Sequence, residues 1–236
     1  MSDEATTANL YQRISAEHES LGELTAGIAH EIKNPLGIIL SSVELILDES
    51  RPREMQTEAA QFIKEEVQRL DTRIREFLAF ARPAPMQGEP VVLNGLVRRA
   101  LRGFAEASPN MSIREDLESP ESIVHVDPDQ VHQALRNLLL NAAEELGDGG
   151  ELLVRTRSTN SGVVVEVHDN GPGVPAELRK KIFDPFFTTR AQGTGLGLSI
   201  VYQVLEAHGA TIDAKASEEL GGALFTMRFP FPARGR

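Results

Sequence analysis

RPAPMQGEP, residues 82–90, sets three prolines and a glycine in nine positions and separates two different hydrophobic rhythms. Proline lacks the N–H that a helix interior needs and pushes the residue before it out of the α region, so no helix crosses this stretch. Upstream of it apolar residues recur at helical spacing. Downstream, helical and alternating patterns interleave. The break predicts two domains, 1–82 and 91–236, joined by a linker over 83–90.

In the upstream part, Leu21, Leu24, Ile28, Ile32, Leu36, Ile39, Val43 and Ile46 form one stripe. Ile63, Val67, Leu70, Ile74 and Phe77 form a second, whose steps of 4, 3, 4 and 3 keep one seam toward a partner helix. The intervening DESRPRE carries charge and Pro52, so the pair reads as an antiparallel helical hairpin. Two helices alone leave part of each apolar face wet. A second copy covers it, which predicts a homodimer with a four-helix bundle.

In the downstream part the patterns predict a helix near 94–107, strands near 111–117 and 123–127, and a helix near 128–146. Strands near 151–158 and 162–168, a helix near 197–208, and a hairpin of 211–217 with 223–229 turned at Gly221-Gly222 complete it. The expected architecture is therefore α plus α/β: the helical hairpin, then an α/β sandwich with a mixed sheet and helices on one face.

The composition excludes several function classes. Over 236 residues, 24 Lys+Arg stand against 35 Asp+Glu, a net charge of −11 that repels polyphosphate backbones and anionic lipid. No nucleic-acid partner is expected. The absence of cysteine removes disulfides, thiolate metal sites and cysteine nucleophiles together. No apolar run approaches the roughly 18 to 20 residues of a membrane span, and MSDEATTANL has neither the basic nor the apolar region of a signal peptide. A cytoplasmic chain with no membrane span is expected.

Chemistry first appears at AGIAHEIKNPL. His30 lies two residues beyond Ile28, about 200° around a helix, so it points away from the apolar seam. Pro35 should bend the helix just after it. Glu31 adjoins the imidazole, and Asn34 follows one turn later on nearly the same face. A carboxylate that accepts the Nδ1 proton fixes the tautomer and sharpens Nε2 as a nucleophile. A lone histidine there would be an ordinary surface residue; the proline, the acid and the amide together argue for more.

Four further segments follow. NLLLN stacks Asn137 and Asn141 at i and i+4, where two amide carbonyls can ligate a hard cation such as Mg²⁺ or merely supply helix polarity. HDNGPG ends a strand with Asp169, whose carboxylate can accept the exocyclic amine of adenine, while Gly171 and Gly173 allow close backbone approach; taken alone it reads more readily as a common turn. FDPFFTTR brings Phe183, Phe186 and Phe187, a cluster that closes over a ligand or fills core, and Arg190, which can meet a phosphate. QGTGLGLSI runs Gly193, Gly195 and Gly197 into a helix, whose free first-turn amides bind phosphate. The spacing is neither that of a P-loop nor that of a dinucleotide fingerprint.

HEIKNPL resembles the H-box of the sensor histidine kinases, and NLLLN, DNGPG, FDPFF and GTGLGL resemble the N, G1, F and G2 boxes of the Bergerat-type ATP-binding domain. The resemblance spans about residues 20 to 230. It implies an ATP-dependent protein-histidine kinase of a two-component system, with ATP and Mg²⁺ as cofactors and a response-regulator receiver domain as partner. On that resemblance His30 is the phospho-acceptor, Glu31 the assisting base, and Asn34 the amide that orients a water when the regulator is dephosphorylated. Asn141 is then the principal Mg²⁺ ligand with Asn137 beside it, Asp169 reads adenine, and 174–195 forms the lid. Gly171, Gly173, Phe186, Thr188, Thr189, Arg190, Gly193, Thr194, Gly195, Leu196 and Gly197 surround the nucleotide. HEIKNPL with NAAEEL looks most like the nitrogen-regulation branch.

The chain departs from the family pattern in three respects, one of which is a short lid. Where many members carry a basic residue and a tyrosine after the second asparagine, Glu144 and Glu145 stand here, and Arg190 replaces a frequent lysine. Two rival readings follow: a dimeric scaffold or phosphatase that holds a receiver domain, and an ATP-hydrolysing relative resembling gyrase, mismatch-repair and heat-shock chaperone ATPases. The last needs a glutamate base where Asn137 stands, and an amide cannot serve as one.

Overall fold

The computed structural model describes residues 32–82, 84–118, 123–147, 149–190 and 193–232. They fall into two units divided between Phe77 and Leu78. Among the described residues no helix is long and apolar enough to cross a membrane.

In the first unit, helix α1 runs to residue 47, described from 32, and a short connection leads to α2, Arg53–Ala81, whose residues from Leu78 onward fall in the second unit. Asp48 organises that connection. Its Oδ1 accepts the Ser50 amide at 3.0 Å, its Oδ2 accepts Arg51 Nε at 3.1 Å, and its carbonyl accepts Gln56 Nε2 at 3.3 Å. The Ser50 hydroxyl and the Arg51 guanidinium hold the Asp48 carboxyl below its ordinary value. Pro52 immediately precedes α2, where a missing N–H costs nothing. Ser42, Ala59 and Glu66 are buried, the last with Arg69 Nη1 at 3.0 Å. Leu36, Val43, Val67 and Ile74 of the two apolar stripes remain between 36% and 49% exposed in a single chain.

The second unit contains β1 (Glu89–Val92), α3 (Leu93–Ala107), β2 (Ser112–Leu117), β3 (Ile123–Val126), α4 (Pro128–Leu146), β4 (Glu151–Ser158) and β5 (Gly162–Asp169). A single 3-10 turn at Lys181–Phe183, α5 (Gly197–Ala207), β6 (Thr211–Ala216) and β7 (Ala223–Pro230) follow. The main sheet has the order β2-β4-β5-β7-β6. β2 runs parallel to β4 and every other neighbouring pair is antiparallel, so the sheet is mixed.

Strand periodicity explains the layering. Val163, Val165 and Val167 of β5 face the helices with Phe225, Met227 and Phe229 of β7, each at most 2% exposed. Val131, Leu135, Leu138 and Leu139 of α4 and Val201 and Leu205 of α5 complete this core. Each such side chain contributes about 1.5–3 kcal/mol on burial. The alternate positions carry charge instead: Arg155 pairs with Asp116 at 2.9 Å and with Glu219.

One element departs from the sequence expectation. Residues 89–92 form β1, which pairs antiparallel with β3, so 123–126 join a two-stranded ribbon rather than the main sheet. Four residues containing Pro90 carry too little periodicity to announce a strand; Pro90 is tolerated because a ribbon needs bonds on one side only.

Asp127 starts α4 and binds three segments together. Its Oδ1 accepts the amides of Asp129 and Gln130 at 3.1 Å, and its Oδ2 accepts that of Gln87 at 2.9 Å. Its own amide donates to His208 Nε2 at 2.9 Å, which places the ring proton on Nδ1, 2.6 Å from the Val204 carbonyl. Burial pushes the Asp127 carboxyl up, but the amides of Gln87, Gln130 and Asp129 with His208 outweigh it and leave the group below its ordinary value.

Candidate functional site

Helix α4 presents Asn137 and Asn141 on successive turns, both half-buried. Asn137 Nδ2 donates to the Gly197 carbonyl at 3.3 Å, which ties α4 to the first residue of α5. Asn141 receives a cation. Arg190 Nη2 donates to Asn141 Oδ1 and to its backbone carbonyl, both at 3.1 Å. Arg190 Nε also donates to Glu145 Oε1 at 2.7 Å, and Nη1 pairs with Glu144.

Asp169 ends β5 and is 5% exposed. Its Oδ1 accepts the amides of Gly171 and Ala223, each at 2.9 Å. Gly222 covers it closely: a Cβ there would lie 2.3 Å from Oδ1, and the Gly222 amide donates to the Asp169 carbonyl at 3.1 Å. Among the described residues Oδ2 has no partner. A carboxylate with one oxygen fixed and one free presents a directed acceptor, the complement of an exocyclic amine. Leu146 lies beside Gly171 and supplies an apolar neighbour.

The segment from Phe186 to Gly195 is fastened at its ends. Phe186 N–H donates to the Gly195 carbonyl at 3.1 Å, with Phe186 at φ 62° and Gly195 at φ 64°. A Cβ on Gly195 would lie 2.4 Å from the Phe186 carbonyl carbon, so both conformation and space demand glycine. Within the segment, Thr188 Oγ1 accepts the Arg190 amide at 3.0 Å, and Thr189 is exposed. Gly193 lies beside Thr188 Oγ1, and Thr194 Oγ1 accepts the Leu196 amide at 3.3 Å. The Leu196 side chain is 2% exposed and joins the core, which leaves only its backbone to a ligand.

Helix α5 opens at Gly197 with no side-chain cap on its first amides. The Ser199 hydroxyl turns back to the Leu196 carbonyl at 2.9 Å. Uncapped amides at the positive end of an 11-residue helix suit an anion. Among the described residues no three His, Cys, Asp or Glu side chains gather to hold a metal. A hard cation at the two asparagines therefore fits only with further oxygens from phosphate and water.

Of the residues singled out in the sequence, Asn137, Asn141, Asp169, Gly171, Gly173, Phe186, Arg190 and Gly193–Gly197 lie on α4, the end of β5 and the segment entering α5. Asn34 is exposed on α1. His30 and Glu31 lie outside the described residues. Sequence reasoning missed Gly222 as the cover of Asp169, because the two meet only through the β5–β7 pairing. It noticed Glu144 and Glu145 as a departure but not that they hold Arg190.

Residues 126–233 match the family described as histidine kinase-, DNA gyrase B- and HSP90-like ATPase, and residues 20–85 match the His Kinase A (phospho-acceptor) domain. The chain is 34% identical over 213 residues to sensor histidine kinase ZraS of Escherichia coli (strain K12), covering 89% of this chain and 46% of that protein. Among solved structures, the catalytic domain of histidine kinase ThkA is 34% identical with a TM-score of 0.58, covering 61% of this chain and 96% of that one. ThkA in complex with response regulator protein TrrA is 31% identical with a TM-score of 0.78, covering 92% and 63%. The chain spans about half the length of the ZraS relatives it matches.

Proposed function

The chain belongs to the histidine kinases, and we propose that it is a catalytic core that phosphorylates its own His30 from Mg²⁺-ATP and passes the phosphoryl group to a receiver-domain aspartate. The observation that carries this reading is the Asp169 carboxylate, fixed through Oδ1 by Gly171 and Ala223 and open at Oδ2, on the same unit as the uncapped start of α5. Asp169 Oδ2 accepts the adenine amine, while the amides of Gly193, Gly195 and Gly197 and the Arg190 guanidinium take the phosphates. Asn141 and Asn137 would hold Mg²⁺, which would neutralise charge on the phosphates.

His30 Nε2 then forms a bond to the γ-phosphorus as the bond from that phosphorus to the β,γ-bridging oxygen breaks, and ADP leaves. Glu31 accepts the Nδ1 proton and keeps the ring nucleophilic. Transfer to the aspartate breaks the N–P bond and restores the imidazole. Asn34, exposed on α1, orients the water that removes the phosphoryl group from the regulator. The apolar residues exposed along α1 and α2 support a homodimer through the hairpin. A receiver partner is supported by the ThkA–TrrA complex. The likeness of HEIKNPL and NAAEEL supports a reading within the nitrogen-regulation branch, and the use of ATP agrees with a cytoplasmic catalytic core.

The test is transfer of label from γ-labelled ATP to purified protein. Wild type should acquire an acid-labile, base-stable label and H30Q none. Labelling of H30Q to the wild-type extent overturns the reading.

A further inference from the structure

Glu144 and Glu145 occupy the last turn of α4, three and four residues beyond Asn141, where the family pattern more often carries a cation. Two adjacent acids beside a phosphate site should weaken the binding of a polyanion. The structure gives them a specific task. Glu145 Oε1 receives Arg190 Nε at 2.7 Å and stands 2.7 Å from Nη2 as well, Glu144 pairs with Nη1, and Nη2 is thereby held over Asn141. There it occupies both Oδ1 and the backbone carbonyl at 3.1 Å. The guanidinium is 27% exposed, and its planar fork meets Glu144, Glu145 and Asn141 at once, so the two acids fix the plane in which Nη2 reaches the amide.

We propose that Glu144 and Glu145 are positioning residues that park Arg190 on Asn141, so that the metal-ligating amide stays masked until a metal–nucleotide displaces the guanidinium. The inference rests on the nucleotide-site reading above. It assigns Arg190 two exclusive positions. In one it satisfies the Asn141 oxygen; in the other it leaves that oxygen to Mg²⁺ and turns its charge to phosphate. The two glutamates set the balance between them. A ligand without phosphate or metal does not contend with the mask, because Asp169, held by Gly171, Gly222 and Ala223, shares no hydrogen bond with Arg190.

The test is a binding cycle on the full chain with two probes, Mg²⁺ with the non-hydrolysable analogue AMPPNP, and adenosine without metal. E144Q/E145Q keeps the shape and removes the charges. It should bind Mg²⁺-AMPPNP about three- to tenfold more tightly, the scale that two partly exposed ion pairs set, and adenosine unchanged. Introduced on an R190Q background, the same pair of substitutions should lose most of that gain, because no guanidinium remains to be held. Unchanged or weaker Mg²⁺-AMPPNP binding in E144Q/E145Q overturns the proposal. An undiminished gain on the R190Q background also overturns it, since the acids would then act by direct repulsion of phosphate. A wild-type chain that binds neither probe, or a D169A chain that binds both as wild type does, defeats the nucleotide-site reading and the mask with it. Binding of both probes that depends on Asp169 but ignores the glutamates defeats the mask alone.

Discussion

Asp169 and Ala223 stand 54 residues apart in sequence, yet the Ala223 amide donates to Asp169 Oδ1 at 2.9 Å. The bond closes the end of the β5–β7 pair and fixes the carboxylate in the orientation that leaves Oδ2 free. On the proposed reading, removing the group should weaken adenine binding. D169A is expected to weaken adenosine and AMPPNP alike by about 10- to 100-fold, the range of a hydrogen bond to a charged group. Isothermal titration of the full chain checks it.

The glycines entering α5 are not equivalent. Gly195 needs a left-handed conformation and would drive a Cβ into the Phe186 backbone; Gly193 would crowd the Thr188 hydroxyl, with Thr188 Cβ and Arg190 Cβ at ordinary contact distance; Gly197 is helical and would meet nothing within 4 Å. G195A should therefore cost about 1–3 kcal/mol of stability, G193A less, and G197A nothing or a slight gain. Urea denaturation of the three variants gives the order directly.

Asp127 accepts three amides from two segments, so D127A should lose a helix cap and release Gln87 together. A cost of about 1–2 kcal/mol is expected. Amide hydrogen exchange should accelerate at Gln87, Asp129 and Gln130. Protection unchanged at Gln87 would show that the carboxylate does not hold the linker.

Asp116 accepts hydrogen bonds from Arg157 and Arg155, which hold its carboxyl at about 2 against an unperturbed 3.8. A lowered native value stabilises the fold above the unfolded value, and that contribution disappears as pH falls through the native one. Wild type should therefore lose stability between about pH 4 and pH 2 more steeply than D116N. Equal slopes in denaturant titrations across that window would contradict the assignment.

Val67 belongs to the seam of α2 and is 49% exposed in one chain. If a second copy covers it, V67E should shift the protein toward monomer in sedimentation velocity, with the circular dichroism of the α/β unit retained. A V67E dimer as stable as wild type would move the interface elsewhere.

The sequence made most of the fold legible where a period persisted long enough. The alternation from Val163 to Val167 and from Ala223 to Phe229 marked two strands, and the spacing of Val131, Leu135, Leu138 and Ala142 marked α4. Glu89–Val92 escaped because four residues hold only two alternations, one of them interrupted by proline. In the candidate site, Asp169, Asn137 and Asn141 were legible because local spacing put amides on one helix face and an acid at a strand end. Gly222 read only as a turn residue, and His208 carried no signal at all.

What the sequence settled alone is therefore periodic or local: which segments are helix or strand, which residues can cap, ligate or turn, and which chemistry each motif permits. Tertiary structure alone decided which oxygen of Asp169 is occupied, that His208 accepts from Asp127, and that Arg190 rests on Asn141 between two glutamates. The physical reason is range. Backbone periodicity and side-chain size act between neighbours in sequence, whereas a hydrogen bond is satisfied by whatever group the packed chain brings within about 3 Å, and strand pairing sets that partner.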